Sequence, residues 1–135
     1  MTNTNHIVQK MLEGDELTRW LGCEVIESKE GFCKLKMVVR KEMSNGFNIA
    51  HGGISFSLAD SAIAFAANAY GRHAVSLNTS IRHLKPILVG NTLIAEAKVI
   101  NLSHKIVNVD ATVFNADGEV VADLQATGYR KSEQW

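Results

Sequence analysis

Proline occurs once in the 135 residues and cysteine twice. A single proline leaves no Pro-rich linker, and no repeat or low-complexity tract divides the chain. One domain over residues 1–135 is therefore expected, with a short helical segment at about 5–21. Cys23 and Cys33 are too few for a disulfide framework and lack a metal-ligand spacing. Between Met1 and Lys10 there is no basic start followed by an apolar run, so no secretion signal is evident. Reduced thiols in a cytoplasmic protein are the expectation. Net charge is absent too, because fourteen basic residues balance fourteen acidic ones. That balance gives no electrostatic footprint for nucleic acid or for an anionic membrane surface, and neither partner is expected. The one Ala-rich stretch long enough to suggest a membrane helix is interrupted by Ser57, Asp60 and Asn68, so no transmembrane span is expected.

What remains is an ordinary globular composition, 46% hydrophobic and 21% charged, patterned mostly for strands. Asn3 or Asn5 can cap a short helix carrying Ile7, Val8, Met11 and Leu12. A second turn carries Leu17, Trp20 and Leu21, which are expected to pack it onto the domain. Cys23, Val25 and Glu27 alternate with Glu24, Ile26 and Ser28, and Glu30-Gly31 makes a turn. Cys33, Leu35, Met37 and Val39 then alternate with polar neighbours, the period of a strand with one buried face. Past Gly71, Val75, Leu77, Thr79 and Ile81 alternate with Ser76, Asn78, Ser80 and Arg82 until Pro86. Leu93, Ala95, Ala97 and Val99 form another strand, and Val107, Val109, Ala111 and Val113 the next. Asp117-Gly118 is a tight-hairpin signal, with Val120, Ala122, Leu124 and Ala126 returning. The tail from Lys131 to Trp135 reads as loose.

The stretch from Asn45 to Gly71 differs from all of this. A polar, glycine-rich loop ends in His51-Gly52-Gly53, and an Ala-rich segment without proline follows. The spacing predicts a helix over about 53–70, roughly 27 Å long at ~1.5 Å per residue. Ile54, Leu58, Phe65 and Ala69 point one way while Phe56, Ala59, Ile63 and Ala66 cover others, so the helix is expected to be buried nearly all round. Ser57, Asp60, Ser61, Ala64 and Asn68 form one polar or small stripe, expected to face a polar cavity or a subunit seam. The economical packing is an α+β fold in which a curved antiparallel sheet of five to six strands wraps one long central helix.

At the start of that helix, free N–H groups and the positive end of the dipole favour a developing negative charge. Gly52 and Gly53 let a ligand approach the backbone, and His51 and Asn45 add polar groups. Together they suggest an oxyanion site, with Asp60 nine positions after His51. A buried ionised carboxylate needs partners or a raised pKa. Structural hydrogen bonding of Asp60, without chemistry, is the plainer alternative. His51, Asp60, His83 and His104 lack a compact metal spacing. Ser55, Ser57 and Ser61 lack a nucleophile elbow, and no phosphate-loop lysine or dinucleotide fingerprint appears. No metal and no cofactor are expected.

Asn45-x5-His51-Gly52-Gly53, Leu58-Ala59-Asp60, Ser76 and the segment Ile81-Arg82-His83-Leu84-Lys85-Pro86 resemble the hotdog-fold acyl-CoA thioesterases of the phenylacetic-acid-degradation type. The resemblance runs from about Leu17 to Tyr129. It implies hydrolysis of an acyl-CoA, with coenzyme A as part of the substrate. Asp60 would attack the thioester carbonyl or activate a water, and the Gly52 amide would hold the carbonyl oxygen. Asn45 would orient carbonyl or water, His51 would shape the loop, and Ser76 would position the water. Arg72, Arg82 and Lys85 are candidates for the coenzyme A phosphates. The resemblance also implies dimers whose sites take the loop from one chain and the Asp from the other, paired into tetramers. An acyl-thioester hydratase or dehydratase and a non-catalytic acyl-CoA-binding module are the alternatives.

Overall fold

A computed structural model describes residues 4–135. Asn5 caps α1 (His6–Glu13), its side-chain oxygen accepting from the N–H groups of Ile7 and Val8; Asn3 lies outside the described residues. Asp15 caps α2 (Glu16–Leu21), and Gly22 closes it in the left-handed conformation at φ 74°, where a side chain would be strained. Leu21 is fully buried as expected. Leu17 and Trp20 are not core residues: they stay 54% and 49% exposed in the single chain. The Arg40 guanidinium lies 4.9 Å over the Trp20 ring.

Six strands form one antiparallel sheet: β1 (Glu24–Lys29), β2 (Phe32–Val38), β3 (Arg72–His83), β4 (Thr92–Leu102), β5 (Ile106–Phe114) and β6 (Val120–Gln134). Their order is β1-β2-β4-β5-β6-β3. Between β2 and β3, after the short turn Lys41–Met43, runs α3 (Gly52–Asn68). It packs against β2, β4, β5 and β3. Leu58, Ala59, Ala62, Phe65 and Ala66 of α3 are sealed against Cys33, Leu35, Leu93, Ala95 and Ala97. The alanines on β4 let the helix lie close, and the period-2 pattern of β2, β4 and β5 is buried as expected.

Bulges account for where strict alternation fails. The pairing of β1 with β2 skips Ile26, which turns Ser28 inward, and Ser28 Oγ accepts from the Asn5 N–H at 2.7 Å. The pairing of β4 with β5 skips Ile100, which is exposed. The pairing of β5 with β6 skips Val121, so Val121 is buried and Val120 is exposed, opposite to the simple reading. In β3 the pairing skips Leu77. Ala74 and Ile81 pack on the core, whereas Val75 and Leu77 stand 47% and 61% exposed on a strand with no further neighbour in the sheet. An inserted residue reverses the inside–outside sense of everything beyond it.

The tail is ordered rather than loose: β6 runs to Gln134, and the Trp135 N–H donates to Gly71 O at 3.0 Å. The central helix also ends two residues earlier than expected, at Asn68. The Asn68 amide donates to the carbonyls of Ala64 and Ala74 and accepts from the Ala74 N–H, so the chain leaves the helix and enters β3 around one buried side chain.

Candidate active site

The loop before α3 is held at several points. The His51 N–H donates to Met43 O at 2.8 Å and the Ala50 N–H to Ile87 O at 2.7 Å. Asn45 Oδ1 accepts from the Phe47 N–H at 2.9 Å, and Asn48 takes the left-handed conformation at φ 60°. His51 is the N-cap of α3, its Nδ1 accepting from the Gly53 N–H at 3.0 Å. The Gly52 N–H has no acceptor among the described residues. It opens at the helix start, where unpaired amide donors and the dipole favour an anion or an oxyanion. Asn45, Gly52, His83 and Lys85 share one pocket of about 360 Å³ there.

Asp60 lies elsewhere. It is half-buried, and desolvation raises its pKa above the ordinary value of 3.8. It opens into a second cavity, of about 310 Å³, walled by Ile63, Ala64, Ala67, Ser76, Val107 and Val109. Ser76, from β3, thus shares a cavity with Asp60, while Asn45 and Gly52 do not. Gly52 and Asp60 are eight residues apart on one helix, about 12 Å along its axis. One chain therefore presents two separate pockets.

The polar stripe expected on the helix is divided. Asp60 and Ala64 line the cavity. Ser61 Oγ is 2.8 Å from Thr18 Oγ1 of α2, and Asn68 is buried at the start of β3. These two secure the helix to its neighbours.

The three phosphate candidates are all engaged. Arg72 donates to the carbonyls of Lys131 and Arg130. Arg82 forms a two-point ion pair with Asp123, at 2.9 and 2.6 Å. Lys85 pairs with Glu119. Only Lys85 of the three lines the Gly52 pocket. Burial pushes the Cys23 and Cys33 thiols up to about 12, and both are free thiols. Neither supplies the thiolate a nucleophile requires. No group of three or more His, Cys, Asp or Glu placed to hold a metal occurs among the described residues. No helix among them is long and apolar enough to cross a membrane.

His83, weighed from the sequence only as a metal ligand and as part of the Ile81–Pro86 segment, also belongs to this region. Its ring lies against Gly52, where a Cβ on the glycine would sit 3.1 Å from His83 Cε1 and 3.2 Å from Nε2. Nothing in the spacing of a histidine at the end of a strand signals this contact with a loop 31 residues upstream.

Comparison with known proteins gives the family. Residues 47–122 match the Thioesterase superfamily. A putative esterase of Archaeoglobus fulgidus is 40% identical over 125 residues, covering 93% of this chain and 81% of the relative. The acyl-coenzyme A thioesterase PaaI of Escherichia coli is 36% identical over 120 residues, 89% of this chain and 86% of the relative. The solved structure of the E. coli PaaI protein from the phenylacetic acid degradation operon superposes with a TM-score of 0.92 at 33% identity, covering 96% of this chain and 97% of that one. With its long helix set against one six-stranded antiparallel sheet, the chain belongs to the thioesterase superfamily, as a PaaI-like thioester hydrolase of hotdog fold.

Proposed function

We propose that the protein hydrolyses acyl-CoA thioesters to a free acid and coenzyme A, at sites that two protomers build together. One observation carries this reading: Asp60 is a half-buried carboxylate with a raised pKa, on the wall of an apolar cavity. Desolvation makes such a carboxylate a stronger base or nucleophile than it is in water. The name of the E. coli relative, an acyl-coenzyme A thioesterase, supports coenzyme A as the thiol.

The reaction needs an attacking oxygen and a held carbonyl. In the water route, Asp60 takes a proton as the water oxygen bonds to the carbonyl carbon. In the covalent route, the carboxylate attacks and a water then hydrolyses the anhydride. Either way the carbonyl oxygen gains charge, the Gly52 N–H stabilises it, the C–S bond breaks and the thiolate leaves with the electron pair. Ser76, which lines the same cavity as Asp60, would orient the water. Asn45 and His51 keep the loop in the shape that exposes the Gly52 amide.

About 12 Å of helix between Gly52 and Asp60 prevents one chain from doing both jobs. The reading therefore places Asp60 of one protomer opposite the partner's Gly52. The exposed Val75 and Leu77 on the open edge of β3 support such pairing, because an unpaired apolar edge invites a second strand. Pairs would associate further into tetramers, which solution mass would report. The two free thiols suit a reducing cytoplasm.

The Asp60 cavity suggests the acyl group. Its walls are apolar and include the small residues Ala64, Ala67, Ala126 and Gly128. Its volume is at the lower end of the ~300–1,000 Å³ range of small-ligand pockets, which suits an aryl-acetyl or medium-chain acyl group. The deciding experiment is Asp60→Asn, assayed for thiol release from phenylacetyl-CoA and a panel of straight-chain acyl-CoAs. Turnover should fall at least ~10²-fold with the fold retained. Near-normal turnover would sink the assignment.

A further inference from the structure

The Gly52 pocket holds a second polar group that the reading above leaves without a role. We propose that His83 donates a hydrogen bond to the thioester carbonyl oxygen, beside the Gly52 amide. This rests on the assignment of Gly52 as the oxyanion donor, and it adds a side-chain donor to the backbone one.

A Cβ built on Gly52 would lie 3.2 Å from His83 Nε2 and 3.1 Å from Cε1, so the Cε1–Nε2 edge of the ring borders the helix start. An amide nitrogen lies about 2.5 Å from the Cβ of its own residue. The Gly52 nitrogen is then no more than about 5.7 Å from Nε2, close enough for one oxygen to accept from both donors. The ring is set on a rigid support: His83 pairs with Ala122 of β6, and the next N–H, of Leu84, donates to Val121 O at 2.9 Å. This pairing fixes the backbone beneath the ring, while the ring itself is exposed.

The neighbouring groups leave His83 available. Its ring has no hydrogen-bond partner among the described residues. His51 is committed to the Gly53 N–H through Nδ1. Asn45 Oδ1 is taken by the Phe47 N–H. Lys85, two residues on, is paired with Glu119. The Gly52 N–H and the His83 ring are thus two polar groups without partners among the described residues, bordering one pocket. The absence of a side chain at Gly52 has a second consequence here. A methyl group at this position would press on the imidazole and fill the space the carbonyl oxygen requires.

Two roles for the ring are separable. A flat aromatic group could serve only to cover Gly52. His83→Phe keeps the plate and removes the donor; His83→Gln removes the plate and keeps a donor. Each variant, with the unaltered protein and Asp60→Asn, is assayed for kcat and KM on an acyl-CoA the unaltered protein hydrolyses, and for coenzyme A binding. The expected result is a kcat about 10- to 100-fold lower in His83→Phe, on the scale of one oxyanion donor. His83→Gln should recover at least a third of the lost turnover on a logarithmic scale, and Kd for coenzyme A should stay within threefold. A kcat for His83→Phe within threefold of the unaltered protein overturns the proposal, and so does an equal loss in both variants. Should His83→Phe fail to fold, His83→Ala is read against His83→Gln by the same criteria. Lack of turnover in the unaltered protein, or full turnover in Asp60→Asn, overturns the reading of the whole site and this inference with it. Turnover lost in Asp60→Asn but kept in His83→Phe overturns only the role of His83.

Discussion

Trp135 Nε1 donates a hydrogen bond to Asn68 Oδ1 at 2.9 Å, tying the last residue of the chain to the last residue of the central helix. The Trp135 ring also stacks on His73, centroids 4.2 Å apart. Asn68 is the hub, with its amide satisfying Ala64, Ala74 and Trp135 at once. Asn68→Ala leaves buried backbone groups unpaired, and each such group costs about 1–3 kcal/mol. The variant should lose about 3 kcal/mol of stability in urea unfolding. Trp135→Phe keeps most of the stacking and should lose only about 1 kcal/mol. Equal losses in the two variants would contradict the placing of Asn68 at the centre.

Asp60 couples stability and activity to pH in opposite directions. Its folded-state pKa is raised above the ordinary 3.8 by desolvation. Below 3.8 both folded and unfolded chains carry the proton and the group makes no difference. Between 3.8 and the raised value the folded state keeps a proton that the unfolded state has lost, so stability falls as pH rises. Above the raised value the loss is complete. Asp60→Asn removes the charge and should therefore raise Tm at pH 7 while leaving it nearly unchanged near pH 3. Turnover of the unaltered protein should rise with pH through the raised pKa, because the base form does the work. Thermal melts of both proteins across pH 3–8 check the first half, and a kcat profile the second.

Much of this was legible from the residues, and what was not has a physical pattern. The strands β2 and β5, and β4 as far as Ala97, keep one buried face, so alternation located them. The Asp117-Gly118 hairpin is local chemistry, and Gly118 has the positive φ of 79° that such a turn uses. Alternation failed at Ile26, Leu77, Ile100 and Val121, where one inserted residue reverses the phase without any compositional mark. The tail was misread because Trp135 depends on Asn68, 67 residues away. Leu17 and Trp20 were misread because an apolar residue need not be buried within its own chain. For the site, His51-Gly52-Gly53 and Asp60 were visible as a motif. The division into two pockets was not, since helical spacing alone does not say which neighbour each side chain meets.

The three basic candidates for the coenzyme A phosphates should differ in effect. Arg72 is committed to the carbonyls of Lys131 and Arg130, so it serves the β3–β6 junction. Arg72→Ala should lower Tm and leave KM for acyl-CoA within twofold. Lys85 borders the Gly52 pocket, and its ion pair with Glu119 is half-exposed. Lys85→Ala should raise KM for acyl-CoA about fivefold, the scale of one screened charge contact. An acyl thioester of N-acetylcysteamine, which lacks the nucleotide, should be hydrolysed equally well by both proteins. If KM rises for both substrates, Lys85 acts on the loop and not on a phosphate.

Acyl selection should rest on the small residues around Asp60. Ala64 stands one helical turn beyond Asp60 and lines the same cavity, as do Ala67, Ala126 and Gly128. Gly128 cannot be enlarged without conflict, since a Cβ there would meet Val107 Cγ1 at 2.9 Å and Val75 O at 3.2 Å. Ala64 is only partly buried and leucine is a good helix former, so Ala64→Leu adds volume to the cavity with little cost to the helix. Misfitting an apolar pocket by a few carbons changes transition-state binding by about 1–3 kcal/mol, or 10- to 200-fold. Ala64→Leu should therefore reduce kcat/KM for phenylacetyl-CoA at least tenfold and leave a short acyl-CoA, if it is a substrate, within about threefold. An equal loss on both would mean that the substitution disturbs Asp60 itself, and an unchanged preference would mean that the acyl group lies elsewhere.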